Sequence, residues 1–128
     1  MVLAKNLHVF NGEYDFTDII ITNGEWDSNL LDLLVKVDYY WSEEEIELII
    51  RFKGCRESII NMPKSYDYVS EQERNSYVSS WYTITSCDIA ENKGVFRIKI
   101  KTIDDDPVWL SVVCDEVILE RKCLNTNC

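Results

Sequence analysis

One long apolar segment, residues 108–120, constrains the fold of this chain more than any other part of its sequence. Its apolar residues occupy alternate positions, and the alternation changes parity after the acidic pair Asp115-Glu116. A period of two is typical of a β-strand, and a change of parity indicates a β-bulge. A strand so long and so apolar is expected to lie centrally in a sheet, with its main face on the core. The positions that define the pattern are Leu110, Val112 and Cys114, followed by Val117 and Leu119.

Three other segments show the same alternation and are predicted to be strands: 30–41, 46–53 and 95–103. The last is the clearest, with Phe96, Ile98 and Ile100 on one side and basic residues on the other. Ser42 and Glu45 have the form of a helix capping box, which would begin a helix near residue 46. The alternation and the β-branched residues that follow favour a strand instead, with the acidic segment 42–45 as a hairpin loop.

Turn signals that contain glycine separate the predicted strands in the first half of the chain. Asn11-Gly12 and Asn23-Gly24 are predicted turns, since both residue types tolerate positive φ. Before the first turn, residues 1–6 are either a loose start or a short edge strand that runs into residues 7–10. Between the two turns, residues 14–22 are a predicted strand. Gly54 is expected to interrupt the strand that begins at residue 46, and a bulge is expected to carry that strand on to Ile60.

The middle of the chain is less regular. Residues 61–76 are predicted to form a long loop with one short helical turn, and a loop of this length in a compact domain is either functional or mobile. Residues 77–90 are predicted to return to strand. Residues 91–94 then form a hairpin connection, with Gly94 at a position that requires positive φ.

Together these elements predict an all-β fold, an antiparallel sandwich or flattened barrel of about seven to eight strands with little helix. The last three strands are expected to form a meander. Residues 1–122 are predicted to form a single all-β domain, and 123–128 a polar C-terminal tail.

The charge balance limits the classes of partner. The chain carries 23 acidic and 13 basic residues, a net charge of −10. Binding to nucleic acid or to an anionic membrane requires concentrated Lys and Arg, so we expect neither. The balance favours a basic protein partner reached by electrostatic steering. The alternative is that the acidic surface serves solubility alone.

The residues usually used in catalysis are sparse. His8 is the single histidine, and its surroundings contain no nucleophile motif. No CxxC or HxxxH spacing indicates a zinc site, and no glycine-rich loop indicates a phosphate site. The triplet Asp104, Asp105, Asp106 lacks the spacing of a calcium loop. We therefore expect a protein that is not an enzyme and that needs neither metal nor cofactor.

The chain has five cysteines, an odd number. Cys55, Cys87 and Cys114 lie in or beside predicted strands, where thiols act as small hydrophobes. The start of the chain is too short and too polar for a signal peptide, so reduced thiols and a soluble, cytoplasmic protein are expected. Cys123 and Cys128 lie in the polar tail, where they are open to oxidation.

Two segments resemble a known group of proteins. Residues 49–55 form an apolar strand that ends in Phe-x-Gly-small, and residues 110–120 form a terminal strand in which a cysteine precedes an acidic pair. With residues 16–18, which read Phe-Thr-Asp, their order resembles small all-β proteins of bacterial toxin–immunity loci (immunity protein 50 and related groups). Those proteins tend to carry histidine where this chain has Thr17. The resemblance spans roughly residues 14 to 121 and implies a protein that binds and neutralises a cognate toxin.

If the resemblance holds, the partner is a basic toxin domain such as a nuclease, because opposite charge speeds encounter with an acidic inhibitor. The contact is expected to use the acidic loops and the aromatic loop. Two alternatives remain: a small ligand-binding or enzymatic β-sandwich with an internal cavity, and a homodimer held by an exposed strand edge. The candidate partner-binding residues are Glu43, Glu44, Glu45, Tyr66, Tyr68, Asp104, Asp105 and Asp106.

Overall fold

Seven antiparallel strands form one sheet in the computed structural model of this protein, which describes residues 2–39, 46–104 and 107–121. This part of the chain also holds two short α-helices and one 3₁₀ helix. The all-β prediction is therefore confirmed. The strands are β1 (Val2–Lys5), β2 (Ile20–Trp26), β3 (Leu33–Tyr39), β4 (Ile46–Ile60), β5 (Ser86–Asn92), β6 (Val95–Lys101) and β7 (Leu110–Arg121). The helices are α1 (Leu7–Asn11), the 3₁₀ helix (Lys64–Tyr68) and α2 (Arg74–Trp81).

Strand β7 lies at the centre of the sheet, as its apolar sequence predicts. The strand order is β2-β3-β4-β7-β6-β5, with β1 as an additional partner of β7. One edge of β7 pairs with β4 from Leu110 to Arg121. The other edge is shared, since β6 pairs with residues 110–114 and β1 with residues 118–120. Three strands therefore pair with the two edges of β7. This central position agrees with the apolar character of its side chains.

The long pair β4–β7 is irregular at its middle. The buried positions of β7 change parity between Cys114 and Val117, and opposite this point the register with β4 shifts between Cys55 and Glu57. Gly54 precedes the shift with φ +60°. Both predicted bulge signals therefore mark the same place in the sheet, where an extra residue changes which side faces the core.

Gly54 cannot accept a side chain at this irregularity without strain. A Cβ would lie 2.5 Å from Oδ2 of Asp115, in a backbone region that L-residues rarely adopt. We expect Gly54→Ala to lower the free energy of unfolding by about 1–2 kcal/mol, measured by urea denaturation. Gly24→Ala is the matched control, because a Cβ there meets nothing within 4 Å. The control should change stability by less than about 0.5 kcal/mol, and equal losses at the two sites would contradict this account.

The C-terminal meander has the predicted form. Lys93 and Gly94, at the tip of the β5–β6 hairpin, have φ values of 55° and 78°, which is the pattern of a type I′ turn. Strand β6 then pairs with β7. Its side chains Phe96, Ile98 and Ile100 are buried while the basic residues between them are exposed, as the alternation predicts.

The start of β2, at one edge of the sheet, is linked to the segment that precedes β5 at the other edge, so the open sheet curves towards a flattened barrel. Ile20 of β2 forms an isolated antiparallel bridge with Thr83, which lies just before β5. The Ile84 N–H donates to the Ile19 carbonyl at 2.9 Å, and the Ile21 N–H donates to the Tyr82 carbonyl at 2.8 Å. The core enclosed by this closure contains residues from all parts of the sheet, including Val35, Phe52, Ile84, Ile98, Leu110, Val112 and Leu119.

Two segments predicted as strands are helical. The edge-strand alternative for the start of the chain is present as β1, but its predicted continuation into residues 7–10 is wrong, because α1 begins at Leu7 and buries Val9. At the preceding residue the Asn6 N–H donates to the Val117 carbonyl at 2.7 Å, and the Asn6 side chain accepts from the Val117 N–H at 3.1 Å. This clamp, with φ 56° at Asn6, ends β1 and turns the chain into α1. The first part of the predicted strand 77–90 is also wrong, since α2 extends through Trp81 and β5 begins at Ser86.

Strand β2 is displaced from its predicted position. It starts at Ile20 and runs through Asn23-Gly24, which the sequence predicts to be a turn. Pairing with β3 overrides the turn preference, and a register shift between Ile21 and Asn23 accommodates the local backbone. Strand β3 likewise begins at Leu33 rather than at residue 30, since Leu30 has φ 61° in the β2–β3 loop.

Candidate partner-binding surface

The segment between β4 and β5, residues 61–85, is the longest connection that the structure describes. It contains the 3₁₀ helix and α2, so the predicted long loop has more regular structure than its sequence indicates. Only Trp81 of α2 is buried. The helix therefore lies on the surface of the barrel with almost all of its side chains available to solvent.

An aromatic cluster of Tyr66, Tyr77 and Trp81 holds α2 against the 3₁₀ helix. The Trp81 ring lies 5.4 Å from that of Tyr66 and stacks at 5.9 Å on that of Tyr77. The Trp81 Nε1–H donates to Ser65 Oγ at 2.8 Å, and the Arg74 guanidinium lies 4.2 Å from the centre of the Tyr66 ring. Such ring and cation–π contacts position the segment without a large buried core.

The outer side of this segment and the end of β4 expose large apolar side chains. Ile60 is 55% exposed, Val78 42% and Tyr77 41%, while Tyr68 at the end of the 3₁₀ helix is 89% exposed. Tyr and Met are enriched at protein interfaces, and grouped apolar residues on a surface mark interaction sites. We call this set the α2 surface: Ile60, Met62, Tyr68, Tyr77 and Val78.

An open cleft of about 420 Å³ lies beside the α2 surface, and Ile60 and Val78 both line it. Trp109 also lines it; this residue is only 5% exposed, and its ring meets that of Tyr82 edge-on at 6.0 Å. The Trp109 Nε1–H is buried without a hydrogen-bond acceptor among the described residues. The cleft is therefore an apolar recess in the barrel wall, completed by Ile21, Thr22, Asn23 and Gly24 of β2.

The structure brings together three of the residues that the sequence predicts for partner binding. The Lys64 N–H, at the start of the 3₁₀ helix, donates to Oδ2 of Asp104 at 2.7 Å, which joins Asp104 to the segment that carries Tyr66 and Tyr68. Tyr68 is exposed, whereas Tyr66 is half-buried in the aromatic cluster and has a structural role. The other predicted contacts, Glu43, Glu44, Glu45, Asp105 and Asp106, lie outside the described residues.

Apart from Tyr68, the residues of the α2 surface and of the cleft were not predicted as contacts from the sequence. A helical signal was present, because Arg74, Tyr77, Val78 and Trp81 have the spacing i, i+3, i+4, i+7. The β-branched and aromatic residues of 77–90 concealed it. No sequence signal connects Ile60 or Trp109 with α2, since their proximity depends on the closure of the barrel.

A cluster of charged side chains lies on the sheet around Arg51 of β4. Its guanidinium contacts three carboxylates, those of Asp27 at 2.7 Å, Glu120 at 3.2 Å and Asp32 at 3.3 Å. The hydrogen bond from Arg51 lowers the pKa of Asp27 below its ordinary value of 3.8. Asp32 is almost wholly buried and also accepts from the Gly54 N–H at 3.1 Å. The carboxylates have partners within the protein, so this group stabilises the β2–β3 loop against β4.

No catalytic arrangement is evident in the described residues. His8 is exposed on α1, beside a depression lined by Lys5, Glu13 and Tyr14. Within residues 2–39, 46–104 and 107–121, no group of three or more His, Cys, Asp or Glu side chains could hold a metal ion. In the same ranges, no helix has the length and apolar character needed to cross a membrane.

Comparison with known proteins adds no family assignment. No protein-family model matches the chain, and no curated protein matches it.

Proposed function

We propose that this chain is a non-catalytic binding protein that docks a basic partner protein through the α2 surface and the adjoining cleft. The observation that carries the proposal is the exposure of Ile60 and Val78 at the wall of an apolar recess, on a chain with a net charge of −10. An apolar centre supplies affinity, and surrounding charge supplies orientation and encounter rate.

Charge near the α2 surface favours a basic partner in particular. Asp67, Glu71 and Glu73 are exposed in the same segment as Tyr77 and Val78. The same segment holds two basic residues, Lys64 and Arg74, so its acidic residues exceed its basic ones by three to two. A partner with Lys or Arg around an apolar anchor would match both features of the surface.

The resemblance to immunity proteins supports a biological role for this binding. On that basis the partner is a basic toxin domain, and the chain neutralises it by covering its active surface. We place this event in the cytoplasm, where the thiols of Cys55, Cys87 and Cys114 would remain reduced.

Two steps test the proposal. The wild-type chain is immobilised, and the proteins that it retains from the source lysate are purified and titrated by calorimetry against the wild type and Val78→Asp. We expect Val78→Asp to bind the purified partner at least about tenfold more weakly, because it places a charge in an apolar contact. Raising the salt from about 50 mM to about 300 mM should weaken wild-type binding by a similar factor.

Leu30→Asp provides the matched control, since it makes the same charge change at an exposed leucine that does not line the cleft. It should bind like the wild type. An acidic partner, an affinity that ignores salt, or equal binding by the two variants would contradict the docking proposal. A partner that is harmless when produced alone would remove the immunity role while leaving the binding role intact.

The volume of the cleft supports a second candidate function, the binding of a small apolar ligand. Ligand pockets begin at about 300 Å³ and are lined mainly by apolar and aromatic side chains. Trp109 in the cleft wall provides a direct readout, because a ligand there should change its fluorescence. Saturable quenching by an apolar probe, abolished in Ile60→Asp, would favour this candidate over protein binding.

A further inference from the structure

Two cysteines face each other across the central strand pair of the sheet. Cys55 of β4 is the direct partner of Cys114 of β7 in the antiparallel register. The pair lies beside Gly54 and the register shift that follows Cys55. This juxtaposition is a product of the fold, since the two residues are far apart in the sequence.

The backbone geometry suits a covalent link between the two side chains. Directly opposed residues in an antiparallel pair have Cα atoms about 4.5–5.5 Å apart, and disulfides form at Cα separations of about 4.4–6.8 Å. Opposed residues also point to the same side of a sheet. In agreement, Cys114 is wholly buried in the core, and Cys55 packs against the same core.

The two thiols differ in access. Cys55 is partly exposed, and its Sγ–H donates to the Glu57 carbonyl at 3.5 Å within the irregular part of β4. Cys114 has no exposure to solvent. A small oxidant can therefore reach Cys55, while Cys114 is available only to a group already in the sheet.

We propose that Cys55 and Cys114 form a two-cysteine oxidation site, in which a peroxide oxidises Cys55 and Cys114 closes a reversible cross-strand disulfide. In the first step the Cys55 sulfur attacks one peroxide oxygen, giving a sulfenic acid and releasing water or an alcohol. In the second the Cys114 sulfur attacks the Cys55 sulfur, which forms the S–S bond and releases water. The two thiols together lose two electrons and two protons, and the peroxide is reduced. This site is independent of the proposed partner binding.

The electrostatic surroundings set the expected pH dependence of the reaction. Burial raises the pKa of the Cys55 thiol, and burial with the nearby Cys55 raises that of Cys114 to about 12. Because the thiolate is the nucleophile, both steps should be slow near neutral pH and faster as the pH rises. The site is thus expected to respond to sustained exposure to oxidant rather than to brief pulses.

Oxidation of the full chain with hydrogen peroxide, followed by alkylation and intact mass measurement, tests the proposal. Cys123 and Cys128 are first replaced by serine so that they cannot cross-link. We expect a mass loss of about 2 Da, two fewer alkylated thiols, and a tryptic cross-link between residues 54–56 and 102–121. Dithiothreitol should restore both thiols.

Variants distinguish a disulfide between Cys55 and Cys114 from other products of oxidation. Cys55→Ser should abolish the cross-link, and Cys87→Ser, which removes another strand cysteine of raised pKa, should leave it unchanged. Cys114→Ser should leave Cys55 to advance to the sulfinic acid, which dithiothreitol does not reverse. Two free thiols after prolonged oxidation, Cys55 linked to Cys87, or sulfinic acid at Cys55 in the presence of Cys114 would each overturn the proposal.

Discussion

Val112→Asp should leave little folded protein at 25 °C. Val112 has no exposure to solvent, and it lies on β7 between Ser58 of β4 and Ile98 of β6. An unpaired carboxylate at this position loses its hydration without gaining a partner. We expect a loss of more than about 4 kcal/mol in the free energy of unfolding, comparable with the whole stability of a domain this size. Far-UV circular dichroism and urea denaturation measure the effect.

Ser111→Asp is the control for this prediction. Ser111 is the preceding residue of β7, is partly exposed, and lies directly opposite Lys99 of β6. An acid there faces a basic cross-strand neighbour, so stability should change by less than about 1 kcal/mol. A soluble Val112→Asp variant that melts cooperatively at the wild-type temperature would show that β7 is not the centre of the fold.

Arg51→Met should give the next largest loss, about 2–3 kcal/mol near pH 7. The substitution leaves three carboxylates close together without a cation, and Asp32 is the most deeply buried of them. Breaking a buried ion pair costs more than the pair contributes, because the remaining charge is uncompensated. The expected loss of stability is smaller than for a fully buried ion pair, because Arg51 and its carboxylates are partly exposed. Urea denaturation as a function of pH measures it.

The free energy of unfolding depends on pH through the carboxylate of Asp27. In the wild type, Arg51 lowers the pKa of Asp27, so the resulting stabilisation is fully present above pH 3.8 and is lost as the pH falls through the lowered pKa. In Arg51→Met this stabilisation is absent, because Asp27 has lost the hydrogen bond that lowers its pKa. The difference between variant and wild type should therefore be largest near neutral pH and shrink below about pH 4.

Lys53→Met isolates the specific effect from the change in net charge. Lys53 lies two residues further along β4, is exposed, and carries the same charge. Its replacement should cost less than about 0.5 kcal/mol at all pH values. Equal losses in the two variants would mean that net charge, rather than the contacts of Arg51, controls stability.

Local sequence patterns predicted the secondary structure correctly where a strand has one buried face or where a turn requires special backbone angles. The alternation of Phe96, Ile98 and Ile100 identifies β6, and Lys93-Gly94 identifies its hairpin, because both signals act over a few residues. The same reasoning failed for α1 and for the C-terminal end of α2. Segments of five to eight residues have weak intrinsic preferences, so contacts such as the Asn6–Val117 clamp decide their conformation.

The candidate surface was only partly accessible to sequence reasoning. Tyr68 and Asp104 were predicted as contacts because aromatic and acidic residues in loops are typical of contact sites. Ile60 was not predicted, because an isoleucine at the end of a strand has the same pattern as a core residue. Its exposure depends on which elements cover the end of β4, which is a property of the assembled sheet.

The sequence by itself determined the strand class, the central position of β7, the bulge near its acidic pair and the C-terminal meander, since these follow from periodicity and turn chemistry along the chain. Only the tertiary structure decided which distant residues meet: Ile20 with Thr83, Arg51 with its three carboxylates, and Cys55 with Cys114. Strand register and sheet closure control these meetings, and both depend on the summed packing of many residues rather than on any local preference.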